Sequence, residues 1–335
     1  MENEKKRYTI EDIARELGIS KTTVSRAISG KGRISKETTE RVMQFIAQHD
    51  YRPNVMAKGL AQSRTYNLGF VLPEEYGAAE FPFFRECMNG ICQVACAANY
   101  DVVISMTEGL DISQLRRMIA NRKVDGMILS RTMTESATQK FLREKGVPFV
   151  VIGPSENPEV VNVDNDNEGA SRELTGIMLM KGMRRLALIG GSRRHLVTES
   201  RRRGFAQAHR EQGIYTDEAL NFMDVDNYLK AMHAVNKSLE YGADGIVCMD
   251  DFITGLVLGC LREKGIRIPE EIRIASLYDS AQLEYNTPSV TSLRFDTKEL
   301  GRRACRTLLE MLGETVAEEE NPLSYQVILR ESTKA

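Results

Sequence analysis

Residues 9–34, TIEDIARELGISKTTVSRAISGKGRI, decide how this chain is read. Ile10, Ile13, Ala14 and Leu17 recur at i, i+3, i+4 and i+7 and give a first helix one apolar face. Gly18 can take the left-handed backbone that stops a helix, and Ile19 fills the corner. Ser20 is a good N-cap for a second helix with Val24, Ala27 and Ile28 turned inward. Its other face is short, hydroxylic or basic: Lys21, Thr22, Thr23, Ser25 and Arg26. A helix with that face, braced by a neighbour at a fixed angle, can enter a major groove. A third helix is expected over 35–48, capped by Ser35, with Thr38 at its fourth position and Val42, Phe45 and Ile46 facing the other two.

From residue 67 the pattern changes. Short runs that are apolar on both faces alternate with amphipathic stretches. Strands are expected at 68–72, 101–105, 126–129, 149–152 and 160–163, then at 186–190, 245–249, 272–277 and 290–293, with a last alternating run at 323–329. Helices fit 83–98, 112–121, 136–145 and 167–181. Strands buried on both faces imply parallel sheets covered by helices on each side. Two such units in tandem make a two-lobed body with a cleft.

Charge follows the same division. Residues 1–64 carry 13 Lys/Arg against 8 Asp/Glu, and the remainder 32 against 39, for a net charge of −2. A basic head on an acidic body suits a nucleic-acid-binding module joined to a part that does not bind nucleic acid. No run approaches the roughly 20 apolar residues of a membrane span. The start, MENEKKRYTIED, has no apolar core of a signal peptide, so a cytoplasmic protein without membrane contact is expected. The six cysteines (87, 92, 96, 248, 260 and 305) form no CxxC pattern and are read as buried reduced thiols, although Cys92 and Cys96 share a helix face. The four histidines are dispersed. No metal and no cofactor is expected.

The head carries a specific resemblance. ISKTTVSRAIS (19–29) and Tyr51-Arg52-Pro53-Asn54-Val55-Met56-Ala57-Lys58-Gly59-Leu60 resemble the VSxxTVSRxxN core and the YxPNxxAxxL hinge of the lactose-repressor/galactose-repressor (LacI/GalR) family of bacterial transcription regulators. The likeness continues at lower density to near residue 330. It implies an all-α helix-turn-helix head over 1–52, a hinge helix and linker over 53–66, and a periplasmic-binding-protein-like α/β body of two doubly wound parallel-sheet lobes over 67–335. The chain then crosses three times between lobes, with 67–165 and 294–323 in the first and 166–293 and 324–335 in the second.

By position, Lys21, Thr22 and Arg26 match the family's base readers. An arginine bonded bidentately to guanine discriminates by roughly 1–3 kcal/mol. Ser20, Thr23, Ser25 and Ser29 are placed to reach phosphates, although Ser29 stands where the family usually has Asn, and Arg33 and Lys31 in the loop after the helix are placed to reach a phosphate or a flanking base. In the hinge, Asn54 caps a helix from which Leu60 projects between the small Ala57 and Ala61. In the family, paired hinge leucines wedge the minor groove of a palindromic operator. Gly59 weakens such a helix by about 1 kcal/mol relative to Ala, so folding of the hinge on DNA is expected.

For a small-molecule effector, a carbohydrate being the first expectation, the matches are Arg201 of an RxxGF motif, Asp279 in LYDS, Asp250 at another strand end, and Phe83-Phe84 after Pro82. Tyr228 would close the far side, and His195 and Val197 lie on the loop before Arg201. Asp251 reads as a helix cap. Leu277 and Gly153 depart from the family pattern, which leaves the ligand open. The resemblance implies a repressor acting as a homodimer or tetramer on double-stranded DNA. The competing readings are a cytoplasmic enzyme with an accessory head and a free sugar-binding protein. Gly190-Gly191-Ser192 hints at a phosphate loop, but neither GxGxxG nor GxxxxGK[ST] occurs and no nucleophile–base pair stands out, so no catalytic residue is assigned.

Overall fold

The computed structural model describes residues 8–29, 32–49, 51, 59, 62–73, 82–107, 111–133, 136–316 and 322–334. The chain forms two compact units, Met1–Thr65 and Tyr66–Ala335. The hinge residues Asn54, Ala57, Leu60 and Ala61, together with Lys31, lie outside the described residues, as does the side chain of Ser29.

In the first unit, α1 (Ile10–Leu17), α2 (Lys21–Ser29) and α3 (Lys36–Gln48) surround a small core. Thr9 and Asp12 make a reciprocal capping box on α1, and Gly18 ends it at φ 65°. Ser20 Oγ accepts from the Thr23 amide at 3.1 Å, and Ser35 does the same for Thr38 at 3.2 Å. Ile13, Ala14, Val24, Ala27, Val42 and Tyr51 are buried together, with Ile19, Phe45 and Ile46 packed at their edge.

The second unit holds two sheets. The first contains β1 (Asn67–Pro73), β2 (Asp101–Thr107), β3 (Gly126–Leu129), β4 (Phe149–Ile152) and β5 (Asn162–Val163), in the order β2-β1-β3-β4-β5 and parallel throughout. Its helices are α4 (Pro82–Ala97), α5 (Ser113–Ala120) and α6 (Ala137–Glu144). The second sheet contains β6 (Leu186–Ile189), β7 (Asn221–Phe222), β8 (Gly245–Cys248), β9 (Arg273–Ser276), β10 (Thr291–Phe295) and β11 (Tyr325–Ile328), in the order β11-β10-β9-β8-β6-β7. Only β11 runs antiparallel, beside β10. Around this sheet lie α7 (Asn167–Met180), α8 (Leu196–Glu211), α9 (Tyr228–Glu240), α10 (Asp251–Glu263) and the short α11 (Ala281–Glu284).

After β10 the chain returns to the first sheet as α12 (Thr297–Met311), whose Leu300, Ala304, Leu308 and Leu309 join the core of β1, β3 and β4. β10 extends to Phe295, so Arg294 and Phe295, grouped with the first lobe by sequence, belong to the second sheet. The α12–α4 crossing is tight. A Cβ on Gly301 would stand 2.1 Å from the Cys87 carbonyl oxygen, and one on Gly90 would stand 2.0 Å from that of Lys298.

Two other expectations change. The two-residue β7 has no run of apolar residues to announce it. Cys92 and Cys96 are exposed on α4, whereas the other four thiols are buried as expected. Among the described residues no helix is long and apolar enough to cross a membrane.

Candidate nucleic-acid interface and effector cavity

On α2 the side chains of Lys21, Thr22, Ser25 and Arg26 are exposed on the face opposite buried Val24 and Ala27. Lys21 Nζ lies 2.6 Å from Glu11 of α1. The hydroxyls of Ser20 and Thr23 are bonded to each other at 2.8 Å, and Arg33 is exposed beyond the helix. The arrangement is a helix presenting two cations and several hydroxyls to one side.

In the second unit, a cavity of about 180 Å³ opens between the two sheets at the carboxyl ends of their strands. That is where ligands collect in open α/β sheets. Phe83, Phe84, His195, Val197, Arg201 and Asp250 all line it. Tyr228 and Asp279 do not. Tyr228 sits half-exposed at the start of α9, its hydroxyl donating to Glu263. Asp279 points toward the last strand and accepts from Arg330 at 2.7 Å, Ser292 at 2.6 Å and Arg294 at 2.8 Å. Burial works against its ionisation, but the bonds from Arg330, Ser292 and Arg294 outweigh burial and hold the carboxyl below its ordinary range. The neighbouring Tyr278 faces the cavity instead, its ring edge-on to Phe83 with centroids 5.9 Å apart.

Arg201 reaches the cavity because of Gly204. A Cβ there would stand 2.2 Å from the Glu168 carbonyl oxygen, so the glycine lets α8 lie against α7. Phe205 buries the next position, and the Ser171 hydroxyl bonds the Arg201 carbonyl at 2.7 Å. The guanidinium then donates to Asn167 Oδ1 at 3.1 Å and to the Met249 carbonyl. Val197 lies in the first turn of α8 and His195 is its N-cap, not part of a preceding loop. Both aspartates line the cavity, and it is Asp250, not Asp251, that caps the helix. Asp250 caps α10, accepting from the Ile253 amide at 2.8 Å, while Asp251 is buried in the first turn and lines the cavity as well.

Several lining residues were not singled out by the sequence: Arg131 and Thr132 after β3, Asp164 and Asn165 after β5, and Tyr278 after β9, the neighbour of Asp279 in LYDS. The rule that strand ends collect ligands, applied to every strand, would have nominated each of them. Two guanidiniums therefore share the cavity with three carboxylates, Asp164, Asp250 and Asp251. Burial raises the pKa of all three, and burial together with Asp250 lifts Asp251 to about 6. His195 is pushed down to about 3 by burial, then by Arg131 and Arg194, and is neutral at physiological pH. Thr132 Oγ1 and Asn165 Oδ1 are buried without a hydrogen-bond partner among the described residues. Such groups are costly unless something polar meets them. Mixed acceptors and donors around a ring-sized space with aromatic walls suit a polyhydroxylated molecule. Among the described residues there is no cluster of metal-ligating side chains.

The family model for bacterial regulatory proteins of the lacI family matches residues 9–54, and that for a periplasmic binding protein-like domain matches 176–333. The HTH-type transcriptional regulator MalR of Streptococcus pneumoniae is 30% identical over 314 residues, covering 91% of this chain and 93% of that protein. The chain belongs to the LacI family. Catabolite control protein A of Staphylococcus aureus is 27% identical over 332 residues, 97% of this chain and 99% of its own. Among solved structures, a transcriptional regulator CelR–cellobiose complex superposes with a TM-score of 0.73 at 28% identity, covering 97% of this chain and all of that one. A lac repressor dimer bound to operator and an anti-inducer reaches 0.78 over 98% of this chain, and at 19% identity speaks for the fold alone. The helical head and the α/β body are those of the family's DNA-binding transcriptional regulators.

Proposed function

We propose that this regulator binds a palindromic operator as a homodimer and that a sugar or sugar derivative, held between the lobes of the body, sets its operator affinity, most simply as a repressor acting in the cytoplasm. The observation that carries the effector reading is the cavity itself. Arg201 and Asp250 meet there beside Phe83 and Phe84, with Thr132 and Asn165 atoms in its wall that have no hydrogen-bond partner among the described residues. The CelR–cellobiose complex, a structure of a 28% identical protein, supports the carbohydrate class. On the DNA side, Lys21, Thr22 and Arg26 read bases and Ser20, Thr23, Ser25, Ser29 and Arg33 contact phosphates, with residues 53–66 as the hinge.

Two measurements test this reading. A thermal-shift panel of neutral sugars, sugar acids and sugar phosphates should contain at least one compound that raises the melting temperature, because a ligand that binds only the folded state stabilises it by mass action. The Arg201→Ala variant should lose that shift. A panel with no stabilising member overturns the carbohydrate assignment. Separately, Arg26→Ala should cost roughly 1–3 kcal/mol of discrimination between operator and scrambled duplex while leaving weak, salt-sensitive binding. Unchanged sequence preference in that variant removes Arg26 from base reading.

A further inference from the structure

One edge of the cavity is a direct junction of the two lobes. Residues 130–133 follow β3 in the first sheet, and His195 and Leu196 open α8, which follows β6 in the second. A backbone bridge, of which the Leu196–Thr132 bond is part, and one side-chain contact join them. Met133 and His195 form an isolated antiparallel bridge. The Leu196 amide donates to the Thr132 carbonyl at 3.3 Å. Arg131 Nη1 and His195 Nε2 are 3.0 Å apart, and since a guanidinium only donates, the imidazole accepts at Nε2 and carries its proton on Nδ1.

These bonds stand where another part is usual. The N-caps Asp166, Asn227, Asp250 and Asp296 in this body each accept an amide from their own helix through the side chain. His195, the N-cap of α8, makes no such bond. The first helical amide of α8 finds its acceptor across the cleft, in the other lobe, so this end of α8 is completed only where the lobes meet. The imidazole, released from capping, holds a guanidinium that lies 5.7 Å from the Phe84 ring centroid and lines the cavity. Thr132 has a part in both structures. Its carbonyl belongs to the junction, and its Oγ1, which has no hydrogen-bond partner among the described residues, belongs to the cavity wall. Gly153, at φ +115°, keeps that wall open, because a Cβ there would stand 3.1 Å from the same oxygen.

We infer that residues 130–133 and the His195–Leu196 turn form a latch across the cleft, in which His195 is the positioning residue that holds the Arg131 guanidinium at the cavity wall. The latch is built from the chain's own groups and stands whatever the effector proves to be.

Hydrogen exchange on the full-length protein without added sugar tests it. The Leu196 amide is the reporter, since its acceptor lies in the other lobe. His195→Leu and Arg131→Met should each speed exchange at Leu196 several-fold, and the double variant should add little to either single change. His195→Gln keeps an acceptor in reach of Arg131 and should restore slow exchange, which a side chain needed only for packing would not do. Wild-type exchange in both His195→Leu and Arg131→Met, or equally fast exchange in His195→Gln and His195→Leu, overturns the latch. A failed sugar panel leaves these measurements untouched, so the two readings fall separately.

Discussion

Arg201, Asp279 and His195 show how one side chain's role depends on partners far away in sequence. Arg201 meets Asn167 and the carbonyl of Met249, 34 and 48 positions away. Asp279 is neutralised by Arg330, 51 positions on, which turns a candidate ligand contact into a brace between strand ends. His195 is held neutral by burial and two arginines. Its titration has a definite sign. Its folded-state pKa is about 3 against an ordinary 6.5, so between those values the unfolded chain binds the proton and the folded chain does not. Stability from this residue is intact above about 6.5 and drains away as pH falls toward 3. Asp251, raised to about 6, works in the opposite direction but is common to wild type and variant. The melting temperature of His195→Gln minus that of wild type should therefore climb as pH is lowered from 7 to 4. A difference that stays flat over that range would mean that His195 is not buried neutral.

Elements were more legible than sites. The strands β3, β4, β6 and β8 lie within the apolar runs that announce them, because a parallel strand covered on both faces has no polar position to blur it. The head's helices are equally plain, since Thr9, Gly18, Ser20 and Ser35 carry their own start and stop chemistry. What could not be read was the side to which a residue turns as it leaves a strand. Tyr278 and Asp279 leave β9 on opposite sides, and only the position of β11 decides which one meets the cavity. Helix crossings were hidden for a similar reason. Gly204 and Gly301 look like ordinary helix-interior glycines until a backbone oxygen is seen where their Cβ would be. Gly204→Ala and Gly301→Ala should each destabilise the protein by about 1–3 kcal/mol in denaturant titration, the usual range for overpacking. Gly176 supplies the contrast. It lies inside α7, and a Cβ at that position would meet nothing within 4 Å, so Gly176→Ala should be neutral or stabilising by up to about 1 kcal/mol. If all three behave alike, close approach is not the reason for the glycines.

At the scale of the molecule, the two units differ sharply in how much apolar surface they enclose. The head's core is Ile13, Ala14, Val24, Ala27, Val42 and Tyr51, whereas the body holds four larger clusters. Small domains bury a smaller fraction of their surface and are correspondingly marginal. The body's lobes are interlaced, since α12 returns to the first sheet and β11 goes back to the second, so neither lobe is one continuous piece of chain. The body should unfold as one transition and the head in an earlier one, seen as loss of exchange protection in residues 10–48 before residues 67–334. Operator DNA binds the folded head, and at a hundred times its dissociation constant should stabilise it by about 2.7 kcal/mol. The first transition then moves upward with operator concentration. A sugar held in the cavity acts in the same way on the second. In a protein whose two sites ignore each other, each ligand moves only its own transition. In a regulator, the operator must also change the midpoint of the sugar's binding curve, and the sugar must change the operator's affinity by the same factor, because the coupling free energy is reciprocal. Titrating each ligand in the presence and absence of the other measures that factor twice. A factor of one in both directions would leave a DNA-binding head and a sugar-binding body that share a chain without regulation.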